Sequence, residues 1–380
     1  MNLKIQNFIL IILTLVLITS CGKRKKYTPP REVHFEKTSF RELTGWKYDN
    51  HLVSLSTFKR SCDAIMKRND RSSISGLTNI GGNAKNWKKI CVALTKSNIN
   101  TNEDARNFFE KWFSVYETRD KKNNNIGKFT GYFEIELNGS IKKTKRCKYP
   151  VYAVPKNLDK IKGKSHISHS AINKGKLKGR NLEIAWVDNK AKLYFMHIQG
   201  SGVIKLRNGK TLKVGYADQN GFEYTHIGPY FKDYNAKNID SALAMMQWLH
   251  RNPRDGRKIM EKNQSYIFFR KIEGDGPIGA QGIPLTKERS IALDSGIYPY
   301  GTPVWLESSL PNTYSYQSRD YRRLLINQDR GGAIKGGIRG DVFFGNGVRA
   351  EELACFMNNT GKMYVLFPKN ITIPRKYITR

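Results

Sequence analysis

The chain has 380 residues, 39% hydrophobic and 11% aromatic. This excludes a disordered polypeptide and leaves room for two domains, or one with a large insertion. Its 66 basic and 32 acidic residues give a net charge of +34, so the partner or surface it meets is anionic. Nucleic acid is the first such partner to consider, and the N-terminus argues against it.

Residues 1–20 read as an export signal: Lys4, an apolar run from Phe8 to Ile18, then small polar residues before Cys21. The run is too short for a membrane span. Leu17-Ile-Thr-Ser-Cys21 resembles a bacterial lipoprotein box, which implies cleavage and lipidation at Cys21. Residues 21–38 are then a lipidated tether, with a basic cluster at Lys23–Lys26. Gly22 follows Cys21 with no Asp retention signal, so the expected site is the periplasmic face of the outer membrane. An exported chain has little access to nucleic acid. Its anionic partner is sought in outer-membrane lipid or in a wall whose peptides carry carboxylates. An oxidising compartment permits disulfides, and Cys62 and Cys91, in one helical region, are the favoured pair; sequence alone does not fix the connectivity. There is no CxxC pair, and no metal or organic cofactor is expected.

From about Ser39 to Glu117 the pattern is helical, with Leu52, Leu55, Phe58, Cys62 and Ile65 at helical spacing. Further helices are expected at Trp87–Lys96 and Asp104–Val115, the latter capped by Thr101 or Asn102. The pattern then changes to strands. Lys128–Leu137 alternates and ends at an Asn138-Gly139 turn signal. Strands are expected at Val151–Val154, Leu182–Val187, Leu193–Ile198 and Gly202–Leu206, the last turning at Asn208-Gly209. Ile161–Gly179 is basic and loop-like. A helix at Ser241–His250 ends at Asn252-Pro253. Strands return at Tyr266–Arg270, Ser290–Leu293, Pro303–Leu306, Leu324–Asn327, Asp341–Phe344 and Met363–Phe367, with a helix at Ala350–Asn358. Short Gly-rich connections suggest barrels, one β-rich segment inserted into another.

Several motifs fail on chemistry. Gly274-Asp-Gly-Pro-Ile-Gly279 fits G-x-G-x-x-G, but Pro277 interrupts it and no helix follows, so a tight strand-to-strand loop explains it better than a dinucleotide site. His166-x-x-His169 lacks a helix or a nearby acid to suit a metal. Leu293-Asp-Ser-Gly296 matches half of an aspartic-protease dyad, and no second triplet exists. The span Leu325–Gly347 is harder to dismiss. Asp329 and Asp341 each adjoin an apolar run of strand type, and seven glycines let the backbone approach a ligand. Asp294 ends an earlier apolar run. The three carboxylates are expected to converge in a sugar-binding cleft, with Val342-Phe343-Phe344 desolvating Asp341 as a general acid requires. In His197-Ile-Gln-Gly-Ser-Gly202, Gln199 and Ser201 are placed to bond sugar hydroxyls.

Gln328-Asp-Arg-Gly-Gly-Ala-Ile-Lys-Gly336 and Asp341-Val-Phe-Phe-Gly345, with Asp294 ahead of Tyr300-Gly-Thr-Pro-Val-Trp-Leu306, resemble the three-aspartate domain of the membrane-bound lytic murein transglycosylase A family. Gly131-Tyr-Phe-Glu134, Leu182-Glu-Ile-Ala-Trp186, His197–Gly202, Val214–Gly221, Ser265–Phe269 and Gly279–Leu285 extend the resemblance over roughly residues 40 to 367. His197 stands where the family often has Gln, and Ile135 where Pro is common. The resemblance implies a mainly β fold with N-terminal helices (α+β). A double-psi β-barrel catalytic domain would be built from residues 39–134 and 245–380, and a smaller β-barrel domain, residues 135–244, would be inserted to form the other wall of a glycan groove. It implies cleavage of the β-1,4 bond between N-acetylmuramic acid and N-acetylglucosamine with 1,6-anhydromuramoyl ends. Asp341 matches the acid/base, Asp329 its acidic neighbour, and Asp294 the first motif aspartate. Tyr132, Glu134, Gln199, Gly200, Ser201, Gln281 and Lys335 are taken as substrate-binding. Glycan strands are the expected partner, with other cell-wall enzymes open as further ones. The competing expectation is a non-catalytic peptidoglycan-binding lipoprotein on the same fold.

Overall fold

The computed structural model describes residues 33–74, 79–158, 167–274 and 276–379. The export signal, Cys21, most of the tether and His166 lie outside the described residues. Strand β1 (Val33–Thr38) leads to helices α1 (His51–Met66), α2 (Ala84–Lys96) and α3 (Asn102–Trp112). Strands β2 (Phe113–Asp120), β3 (Ile126–Ser140) and β4 (Tyr149–Tyr152) follow, then helix α4 (His169–Asn173) and strand β5 (Glu183–Val187). Helix α5 (Lys190–Gln199) precedes strands β6 (Ser201–Leu206) and β7 (Thr211–Gln219). Helices α6 (Ala242–Arg251) and α7 (Pro253–Met260) lead to strands β8 (Ile267–Ile272), β9 (Ser290–Leu293), β10 (Pro303–Leu310), β11 (Arg319–Asp329) and β12 (Arg339–Asn346). Helix α8 (Val348–Phe356) and strand β13 (Asn358–Pro368) complete the order. The chain is mixed α/β, mostly sheet with some helices.

The strand pairings close two rings that share β3. One runs β3, β13, β10, β11, β9, β12 and back to β3. The other runs β3, β6, β7 and β8, passes through the Ala153–Phe269 bridge to β4, and returns through β5. The N-terminal part of β3 serves the first ring, pairing with β12 from Lys128 to Glu134. Its C-terminal part serves the second, pairing with β6 from Ile135 to Gly139. Because β8 pairs with β7, the second ring's strands continue to Ile272, past residue 244.

Side-chain alternation seals the first ring on both faces. Val304 and Leu306 of β10, Leu325 of β11 and Val365 of β13 join the large core. Their neighbours Trp305, Leu324, Ile326, Tyr364 and Leu366 face outward and pack under α1, α2 and α3 with Phe58, Trp87 and Phe109. A disulfide joins Cys62 of α1 to Cys91 of α2, Cα atoms 5.4 Å apart, as the shared helical region suggested. Two buried polar links fix these helices to the ring. Arg289 donates both terminal nitrogens to Asp49, at 2.7 and 2.9 Å, and also reaches Ser54. Gln328 of β11 donates to the Thr57 carbonyl and to Ser61 Oγ, each at 2.9 Å.

The local structure departs from expectation in several places, among them helix α4 within the segment read as loop-like. Leu193–Ile198 is helix: Asn189 caps α5 by accepting from Lys192 N, and Gly200 ends it at φ +79°. Asn138-Gly139 is not a turn but strand interior, where a Cβ on Gly139 would lie 2.3 Å from Ile204 Cγ2. Pro253 opens α7 at its first turn rather than only ending α6. The expected Asp104–Val115 helix yields to β2 at Phe113, with Thr101 as the cap.

Candidate active site

Strand β12 lies between β3 and β9, and its register sets Asp341 beside Thr130 on one side and Ala292 on the other. Thr130 Oγ1 donates to Asp341 Oδ1 at 2.6 Å. Arg339, two residues earlier on β12, donates to Thr130 Oγ1 at 2.8 Å. Arg339 thus reaches, by hydrogen bonds through the Thr130 hydroxyl, the carboxyl of Asp341. Burial pushes its pKa up to about 6; the negative charge of Asp329 adds to this, and Thr130 and Arg339 oppose it.

Asp329 ends β11 where the pairing with β9 shifts register. Its Oδ1 accepts from the backbone N–H of Ala280 and of Arg330, both at 2.9 Å, and its Oδ2 accepts from the Tyr132 hydroxyl at 2.9 Å. Burial raises its pKa and these donors pull it down. Ala280 directly follows the run that fits G-x-G-x-x-G, so that loop's work here is to deliver the next amide to Asp329. Tyr132 shares a face of β3 with Thr130 and packs on Phe343, ring centroids 5.2 Å apart. Two half-buried acids are therefore held side by side, one ringed by donors and the other made harder to ionise.

Asp294 corrects the expectation of three converging carboxylates. It is fully buried. Its oxygens accept from Gly296 N and Gly336 N, each at 3.0 Å, with Lys335 Nζ 3.8 Å away. Asp294 therefore ties down the Gly-rich loop that joins Asp329 to Asp341. Glu134 is also buried, only 2% exposed, and its Oε1 has no hydrogen-bond partner. Burial lifts its pKa to about 7. Gln281 is engaged with α1, accepting from Ser61 Oγ at 2.9 Å. Gln199 accepts from Phe133 N at 3.3 Å, which places the Gln199-Gly200-Ser201 corner against β3 beside Tyr132. Thr130 and the bridging role of Arg339 were missed from sequence. The period of two was the available signal: Thr130 precedes Tyr132, and Arg339 precedes Asp341, by one strand repeat.

Two family patterns match this chain: the MltA specific insert domain over residues 128–270 and the 3D domain over residues 289–367. The chain is 32% identical over 256 residues to membrane-bound lytic murein transglycosylase A of Vibrio cholerae, spanning 66% of this chain and 67% of that protein. The chain belongs to the membrane-bound lytic murein transglycosylase A family. The Escherichia coli K12 protein of that name is 28% identical over 269 residues, 69% of this chain and 72% of that one. A membrane-bound lytic murein transglycosylase of Agrobacterium tumefaciens superposes with a TM-score of 0.77 at 27% identity, covering 88% of this chain and 98% of that structure. MltA of Neisseria gonorrhoeae gives a TM-score of 0.76 at 27% identity, covering 90% and 94%. The insert-domain match takes in β3 from Lys128 onward, and the 3D match takes in β9 through most of β13. Both acids thus fall in the 3D match, while Thr130 and Tyr132, which bond them, fall in the insert-domain match.

Proposed function

We propose that this chain is a peptidoglycan lytic transglycosylase that cleaves the β-1,4 bond between N-acetylmuramic acid and N-acetylglucosamine and leaves 1,6-anhydromuramoyl ends. The observation that carries the reading is the Asp341–Asp329 pair, one carboxyl raised to about 6 and the other held by three donors. Ordinary glycosidases use two working carboxylates, an acid and a nucleophile or base. Here Asp341 does both proton transfers. Protonated, it gives its proton to the leaving O4. As a carboxylate, it then takes the proton of the substrate's own C6 hydroxyl as that oxygen closes on C1. Asp329 does not attack; Tyr132 and two amides occupy it, and its charge adds to burial in raising the pKa of Asp341. Asp294 positions the loop between them.

The first ring is proposed as a double-psi β-barrel and the second as an inserted barrel, running from Ile135 to Ile272 rather than ending at residue 244. Glycan would lie between them, with Tyr132, the Gln199–Ser201 corner and Lys335 on its walls. The relatives are named membrane-bound. Among the described residues no helix is long and apolar enough to cross a membrane. Lipid on Cys21, at the periplasmic face of the outer membrane, is the proposed anchor. The test is mass spectrometry of products released from purified sacculi. Muropeptides lighter by one water than their reducing counterparts support the reading. Reducing ends would show hydrolysis, and binding without release would favour the wall-binding alternative.

A further inference from the structure

A second cavity, of about 360 Å³, opens between β4, β5, α4 and α5. None of its lining residues bonds Asp329 or Asp341. Four lysines line it, Lys143, Lys148, Lys178 and Lys190, and among the described residues no carboxylate does. Its walls are aromatic: Lys143 Nζ stands 5.5 Å over the Trp186 ring, and Lys148 Nζ 5.5 Å over Tyr149. At its floor is His197, 7% exposed, whose Nδ1 has no hydrogen-bond partner. The other ring nitrogen bonds the Ile267 backbone in a contact that favours the protonated ring and so runs to the carbonyl. Burial against His169 and Tyr266 keeps this ring neutral. Nδ1 is therefore a buried acceptor in search of an N–H or O–H. Ammonium groups at the rim and an acceptor at the floor suit a ligand with carboxylates and amide N–H groups. A phosphodiester suits the rim but has no N–H or O–H on its phosphate to give the floor.

We propose that this cavity binds the carboxylate-bearing stem peptides of the wall, as a site separate from the acid pair. The choice of occupant rests on the glycan-cleaving reading. β3 links the two sites: Thr130 serves Asp341, and Ser140 pairs with Trp186 at the cavity wall. At about 3.3 Å per residue they stand roughly 30 Å apart along the strand. A polymer carrying side peptides can engage both.

The test uses the full chain and the free tetrapeptide L-Ala-γ-D-Glu-meso-diaminopimelate-D-Ala, with binding read by calorimetry. The variant Lys143→Gln/Lys148→Gln/Lys178→Gln removes three exposed rim charges. Lys85→Gln/Lys89→Gln/Lys96→Gln on α2 is a control of equal net charge. The rim variant is expected to bind the peptide at least tenfold more weakly than the control. It should be several-fold slower on intact sacculi and unchanged on glycan stripped of its stems. Equal peptide binding by the two variants would overturn the proposal, as would capture of phosphatidylglycerol vesicles with no peptide binding. If the unsubstituted chain turns over neither substrate, the enzyme reading fails, and the binding measurement still decides the peptide site.

Discussion

At the scale of single residues, Asp341 is a carboxyl that folding makes harder to ionise. Its pKa rises from 3.8 to about 6, so the folded state binds a proton that the unfolded state releases, and the wild type is penalised above about pH 4, fully so above about pH 6. Asp341→Asn removes that penalty. The variant is expected to lose activity by at least roughly 10²–10⁴-fold. It is also expected to melt a few degrees higher at pH 7 while matching the wild type at pH 4, as pH-dependent thermal melts would show. The alkaline limb of kcat/KM should fall near pH 6, where Asp341 loses its proton. Thr130 opposes the raised pKa by bonding the carboxylate. Thr130→Val should therefore move that limb to higher pH as well as slow the reaction; an unmoved limb would show that the hydroxyl does not act on Asp341. The acids were legible in the sequence because each flanks an apolar strand run. Their division of labour was not, since it depends on Ala280 and Tyr132, 49 and 197 residues away from Asp329.

At the scale of elements, the strands of the first ring were legible because alternation and short Gly-rich connections are local signals. Helix α5 was not. A six-residue run of Leu193 to Ile198 reads equally as a buried strand or a buried helix turn. The caps Asn189 and Gly200 were the deciding signals, and the apolar run outweighed them. Gly139 misled for the opposite reason: it serves close packing against Ile204, not a bend. The disulfide between α1 and α2 closes 29 residues. In the chain-entropy account that is about 3–4 kcal/mol, so Cys62→Ser/Cys91→Ser should lower the denaturant midpoint without changing kcat of the folded fraction. Loss of kcat in folded protein would mean that the helices help shape the site. The Asp49–Arg289 pair bears more directly on stability. Asp49 is fully buried, and Arg289→Met leaves it only the more distant Arg323, 3.5 Å away, so the variant is expected to cost about 3 kcal/mol.

At the scale of the whole molecule, one long strand belongs to two rings, and that sharing positions the site. Thr130 and Tyr132 lie on β3 where it pairs with β12; three residues on, the strand passes to β6 and the Gln199–Ser201 corner. Continuity of β3 therefore places the acids against a wall contributed by the other ring. The net charge of +34 acts at this scale too. Exposed charges are screened within about 8–10 Å at physiological salt. Sacculus binding is expected to weaken steadily with added salt in pull-down assays, and salt-independent binding would assign the charge another purpose.

The central claim is that one carboxyl, Asp341, cleaves the glycan without water entering the product. The direct measurement is digestion of sacculi in water enriched with heavy oxygen, with mass spectrometry of the released muropeptides. The account requires anhydro products that carry no heavy oxygen and that vanish with Asp341→Asn. Heavy oxygen at the new end, or undiminished release by Asp341→Asn, would contradict it.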